Sequence, residues 1–123
     1  MIEVDGLSIY LTRGDSAILQ ATPTTKDEHG EKVPYEFSEG DKIIFRLKMK
    51  AEDSYQVVCE KECVMDYANN KAVLHLDPKD TEHCEFKKYR YELELVTASD
   101  FHSTFIENQD FTIGKELETH GGT

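Results

Sequence analysis

The residues with the most chemical potential are three cysteines, five histidines and a large excess of carboxylates. Cys59-x-x-x-Cys63 has a spacing that a structural zinc site allows, and His83-Cys84 follow later in the chain. Zinc requires thiolates and imidazoles that converge as a tetrahedral set. Cys59 and Cys63 share a parity on short extended segments, whereas His83 and Cys84 are neighbours that splay apart in an extended chain. Buried free thiols acting as small apolar side chains account for the same pattern. No metal and no cofactor is therefore expected. An odd, low cysteine count is also no secreted disulfide framework.

Nucleophilic or acid–base catalysis fares no better. His29, His75, His83, His102 and His120 fall in loops, on the outer parity of a strand or in the tail, and no serine or cysteine motif accompanies them. The carboxylates are spread over loops and the solvent parities of strands, and a chain this short offers few walls for a paired-carboxylate cleft. Asp66-Tyr67-Ala68-Asn69-Asn70 is too thin for a calcium loop. Arg13-Gly14-Asp15 matches an adhesion string, but its residue types are those of a tight turn. The chain is expected not to be an enzyme, and no catalytic residue is assigned.

One row of charge remains. Lys42, Arg46, Lys48 and Lys50 share a parity in the 41–50 segment, opposite Ile43, Phe45, Leu47 and Met49. They put a single positive row on a chain with 25 acidic and 14 basic residues, net charge −11. Solvation of an exposed strand explains such a row. A protein-interaction row that meets an acidic surface, on a second copy or on a neighbouring protein, explains it equally well. Nucleic acid and anionic membranes bind through clustered Lys and Arg, so an acidic chain disfavours both.

The elements that must carry these residues are strands. In Tyr89–Val96, Tyr89, Tyr91, Leu93 and Leu95 alternate with Arg90, Glu92 and Glu94, the period of a strand with one dry face. Leu7–Thr12, Ser16–Thr22, Tyr55–Cys59, Glu62–Asp66, Lys71–Leu76, His102–Glu107 and Phe111–Ile113 read as further strands. Residues 23–40, with Pro23, Pro34, Gly30 and Gly40, read as loop. Asp77–Lys88 reads as a polar connection with a short helical turn after Pro78. No apolar run approaches the ~20 residues of a membrane span, and no basic-then-apolar leader opens the chain. About eight short strands without an amphipathic helix point to an all-β, immunoglobulin-like antiparallel β-sandwich. Residues 1–115 form its single domain, and 116–123 a frayed tail. The connection entering Tyr89-x-Tyr91 resembles the corner where a tyrosine hydroxyl ties back upstream, here near Asp80-Thr81.

Several short motifs, taken in order, carry a family resemblance. They are Arg13-Gly14-Asp15-Ser16, Asp27 to Gly30, Pro34-Tyr35, Gly40-Asp41-Lys42-Ile43-Ile44-Phe45-Arg46-Leu47-Lys48 and Lys71 to Leu76. Asp80-Thr81, Tyr89-x-Tyr91-x-Leu93-x-Leu95, Thr104-Phe105-Ile106 and Phe111-Thr112-Ile113 complete the series. Across residues 7 to 115 the chain resembles the small immunoglobulin-like domain of phage and prophage tail proteins of Gram-positive hosts. That domain stands at the N-terminus of baseplate upper proteins and in short free-standing relatives. Two positions depart from the family pattern: Lys87-Lys88 replace a glycine before the tyrosine strand, and the turn Asn108-Gln109-Asp110 lacks one. The resemblance implies a non-enzymatic structural or adaptor module of a prophage virion. Its partners would be other tail or baseplate proteins or further copies of itself, and its location a bacterial cytoplasm during synthesis and then the virion. Two alternatives stand beside it. One is a cell-surface carbohydrate-binding module using Tyr35, Phe37, Tyr55, Tyr67 and Phe101, and the other is a small metal-dependent enzyme.

Overall fold

The alternating segments fold as strands and stack into a two-layer all-β sandwich. The computed structural model describes residues 2–5 and 7–115, so the tail 116–123 lies outside the described residues. In chain order the elements are β1 (Ile2–Asp5), β2 (Ser8–Thr12), β3 (Ala17–Gln20), β4 (Thr24–Lys26), β5 (Lys32–Pro34) and β6 (Lys42–Ala51). There follow β7 (Ser54–Glu62), β8 (Val64–Asp66), a 3-10 turn (Tyr67–Asn69), β9 (Lys71–Leu76), α1 (Pro78–Thr81), β10 (Lys87–Val96) and β11 (His102–Gly114). The large sheet runs β1-β2-β11-β10-β6-β7, the small sheet β3-β9-β8, and β4 pairs with β5 as a separate ribbon. All pairings are antiparallel except β2 with β11, which is parallel.

The core lies between the two sheets. β6 turns Ile43, Phe45 and Leu47 inward, β10 turns Tyr89, Tyr91, Leu93 and Leu95, and β11 turns Phe111 and Ile113. Opposite them, Ala72, Leu74 and Leu76 of β9 and Ala17 of β3 are buried. Phe45, Tyr91 and Phe111 form an aromatic cluster with ring centroids 5.9–6.0 Å apart. The tilted and edge-on arrangements match the geometry aromatic quadrupoles favour. On β10 the alternation is complete: every residue from Tyr89 to Leu95 on one parity is buried, and Arg90, Glu92 and Glu94 are half-buried.

A buried carboxylate ties the loops to this core. Asp41 is 1 % exposed, and its Oδ2 accepts from the Tyr35 hydroxyl at 3.0 Å and from Ser38 N at 2.8 Å. Its Oδ1 accepts from Ala98 N at 3.1 Å, and its carbonyl accepts from the Tyr67 hydroxyl at 2.7 Å. One side chain thus fastens the 35–41 loop, the start of β6 and the β10–β11 turn. The neighbouring Gly40 has φ +97°, and an added Cβ would meet the Ala98 Cβ at 2.9 Å, so this approach requires glycine.

The observed elements differ from expectation at several points. Among the described residues there are eleven strands, because β1 alternates over only four residues and the β4–β5 ribbon falls in a segment with no readable alternation. His102–Glu107 and Phe111–Ile113 are one continuous β11, and Asn108 is no turn. Asn108 has φ 55°, at a register shift where Tyr91 pairs Gln109 and Leu93 pairs Ile106. This β-bulge breaks the parity without ending the strand, and asparagine tolerates the left-handed backbone. The tyrosine tie-back also lies elsewhere. Tyr89 donates to the Glu85 carbonyl at 3.1 Å and Tyr91 to the Leu7 carbonyl at 2.5 Å. Asp80 instead binds Lys61 Nζ at 2.8 Å, and Thr81 Oγ1 accepts from Gly14 N at 3.2 Å. Among the described residues no helix is long and apolar enough to cross a membrane.

Candidate interaction face

The row Lys42, Arg46, Lys48 and Lys50 lies on the outer face of the large sheet, along β6. β6 is not an edge: β10 flanks it on one side and β7 on the other. Cross-strand neighbours share a face, so register decides what each cation meets. Arg46 stands opposite Glu92 on β10 and Glu60 on β7. Its Nε lies 2.7 Å from Glu60, and its Nη1 lies 3.1 Å from Glu92 and 3.0 Å from Glu94. Lys48 Nζ is 2.5 Å from Glu92. Glu94 carries the lattice on to His102 Nδ1 at 3.2 Å, and His102 Nε2 reaches Asp100 at 2.9 Å.

These partners set the electrostatics. Burial works against the Arg46 charge, but the hydrogen bonds it donates to Glu60, Glu94 and Glu92 hold its pKa above the ordinary value. Burial likewise works against the Glu92 carboxylate, yet Lys48 and Arg46 keep its pKa below the usual range. The Asp100 and Glu94 hydrogen bonds raise that of His102. Linked pairs held between strands are where ion pairs contribute measurably, unlike single mobile surface pairs. Half of the positive row is therefore spent inside the chain. Lys42 and Lys50, at the two ends of β6, are exposed and make no ion pair or side-chain hydrogen bond among the described residues. Beside Lys48 a shallow depression of about 170 Å³ is lined by Tyr55, Arg90, Glu92, Glu107 and Asn108.

The other candidate residues do not converge. Tyr35, Phe37 and Tyr67 gather around the Asp41 loops; Phe37 is buried, with its ring edge-on to Tyr35 at 5.6 Å. Tyr55 and Phe101 are exposed at opposite ends of β10. The five rings thus form no common platform. Cys59 is half-buried, and Cys63 and Cys84 are buried. Burial pushes the thiols of Cys59 and Cys63 up to about 11 and raises that of Cys84, which holds them as neutral thiols. His83 Nε2 is 3.9 Å from Cys84 Sγ, and no group of three or more His, Cys, Asp or Glu among the described residues could hold a metal ion. Arg13-Gly14-Asp15 is a turn packed on the chain itself. The Arg13 guanidinium sits 4.0 Å over the Phe86 ring and donates to the Cys84 carbonyl at 3.3 Å, and Gly14 has φ +84°.

The cross-strand lattice was beyond reach of the sequence, although each of its members was visible there. Arg46 and Glu92 are far apart in the chain, and only strand order makes them neighbours. No protein-family model matches this chain, and no curated protein matches it.

Proposed function

We propose that this chain is a non-enzymatic structural or adaptor module of a prophage virion, associated with tail or baseplate and acting through protein–protein contacts. The observation that carries the reading is the outer face of the large sheet: a broad strand surface whose charges are paired in a lattice around Arg46. Enzymes concentrate perturbed acids and bases in a cleft. Here the perturbed groups Arg46, Glu92 and His102 spend their charge on neighbouring strands.

The strand order supports the immunoglobulin-like part of the reading. β11-β10-β6-β7 over β3-β9-β8 follows the G-F-C-C′ and B-E-D arrangement of such sandwiches. The virion role rests on the resemblance of the short motifs between residues 7 and 115, and a fold of this kind hosts many functions. Within the row, Lys42 and Lys50 are the cations left to meet an acidic surface, where charge complementarity sets register and association rate. The test is capture of purified tail and baseplate proteins from the same gene cluster by the immobilised chain. Capture that weakens with salt and with Lys42→Glu plus Lys50→Glu is expected. Capture of none of them by the folded wild-type chain would overturn the reading.

A further inference from the structure

The sandwich is open along one side. β2 pairs with β11 over Phe111–Gly114, and β3 pairs with β9 alone, so no strand covers the gap between residues 102–109 of β11 and β3. Ile106 stands in this gap between the two register shifts of the β10–β11 ladder, where a bulged strand bends. A cavity of about 240 Å³ opens there between the sheets, lined among others by Leu7, Ile9, Leu19, Leu74, Leu93 and Ile106. It runs inward from the surface. Phe45 and Leu74, which also border it, are 1 % and 2 % exposed, whereas Leu7 is 49 % exposed.

The walls cannot simply collapse into this space. Leu19 is tied to Leu74 by the β3–β9 register, Leu93 to Phe45 and Ile106 by β10, and Ile9 to Phe111 by β2. The space also suits water poorly. None of the described residues lining it is charged. The hydroxyl of Tyr91, which borders the cavity, is already committed to the Leu7 carbonyl at 2.5 Å. Water inside therefore lacks the several polar partners that hold a buried water, and an apolar group that displaces it gains affinity. The polar residues Gln20 and Thr22 line the cavity from exposed positions at its rim.

We propose that this cavity is a binding site for a small, uncharged, mainly apolar molecule whose one polar end lies at the rim. Size, lining and charge each select this class. An apolar cavity of about 150 Å³ takes benzene, so one of 240 Å³ takes roughly ten non-hydrogen atoms. Largely apolar walls with a few polar groups at one end are the usual make-up of a small-molecule site. An anionic head is disfavoured twice: no cation lines the cavity to pair with it, and the chain carries a net charge of −11. The inference needs only this chain and does not rest on the virion reading. A chain that binds no such molecule would remove it without touching capture of tail proteins.

The test is titration of the folded wild-type chain near neutral pH with 1-octanol and, separately, with octanoate, read by calorimetry and by methyl NMR. Octanol should saturate one site per chain and shift the methyls of Ile9, Leu19, Leu74, Leu93 and Ile106 together, leaving that of the outward-facing Ile18 in place. Octanoate, of the same chain length, should bind about tenfold more weakly or worse. Leu19→Trp enlarges a half-buried side chain that lines the cavity and should raise the octanol Kd about tenfold or more. Ile18→Trp, the neighbouring residue on the opposite face, should leave it unchanged. The wild-type shifts decide the matter even where Leu19→Trp fails to fold. Shifts absent from these methyls, octanoate bound as tightly as octanol, or a folded Leu19→Trp chain with unchanged Kd would overturn the proposal.

Discussion

The hydroxyl of Tyr35 donates to the carboxylate of Asp41 at 3.0 Å, and Asp41 is almost wholly buried. Burial, then the hydrogen bond and charge of Asp41, raise the pKa of Tyr35. Asp41→Ala leaves Ser38 N, Ala98 N and the Tyr35 hydroxyl without their acceptor. The expected loss is about 2–5 kcal/mol in urea unfolding, against about 1 kcal/mol for Tyr35→Phe, which removes one bond. Equal, small effects for both variants would show that Asp41 does not fasten these loops.

Leu93 is 6 % exposed and stands opposite Phe45 on β6 and Ile106 on β11. Leu93→Ala should cost about 2–5 kcal/mol, the transfer term plus the cavity left between the sheets. Glu94→Gln, one residue on and on the opposite face, should cost far less. Chemical denaturation of the two variants checks this, and a reversed order would contradict the side-chain parity of β10.

His102 gives the fold a pH dependence of known sign. Its folded pKa is raised by Asp100 and Glu94, so the protonated ring is favoured in the folded state. The stabilisation is fully present below the unfolded value of about 6.5 and is lost as pH rises through the folded value. Wild type should therefore melt above His102→Gln in mildly acidic solution, and the gap should close in alkaline solution. A gap that widens as pH rises would reverse the assignment.

How much was legible in the sequence follows from what periodicity can carry. β6, β9 and β10 are readable because their apolar residues alternate, broken only by Ile44 in β6 and Val73 in β9, and an extended chain places such residues on one face. β11 was split into two segments because the bulge at Asn108 shifts its parity. The β4–β5 ribbon was hidden because three-residue strands between prolines and glycines carry no period. The basic row was legible as residues but not as a site. Pairing of Arg46 with Glu60, Glu92 and Glu94 depends on strand order and register, to which local alternation is blind. Nothing in the sequence distinguishes Asp41 from the other carboxylates, because its burial comes from Tyr35, Tyr67 and Ala98 closing around it.

The most direct test of the central proposal is quantitative mass spectrometry of phage particles induced from the strain that encodes this chain and purified on a density gradient. The chain should co-sediment with the tail proteins at a fixed ratio, and particles lacking its gene should show a tail or baseplate defect by electron microscopy. Complete, infective particles that contain none of the chain, with all of it left in the soluble lysate, would contradict a structural role in the virion.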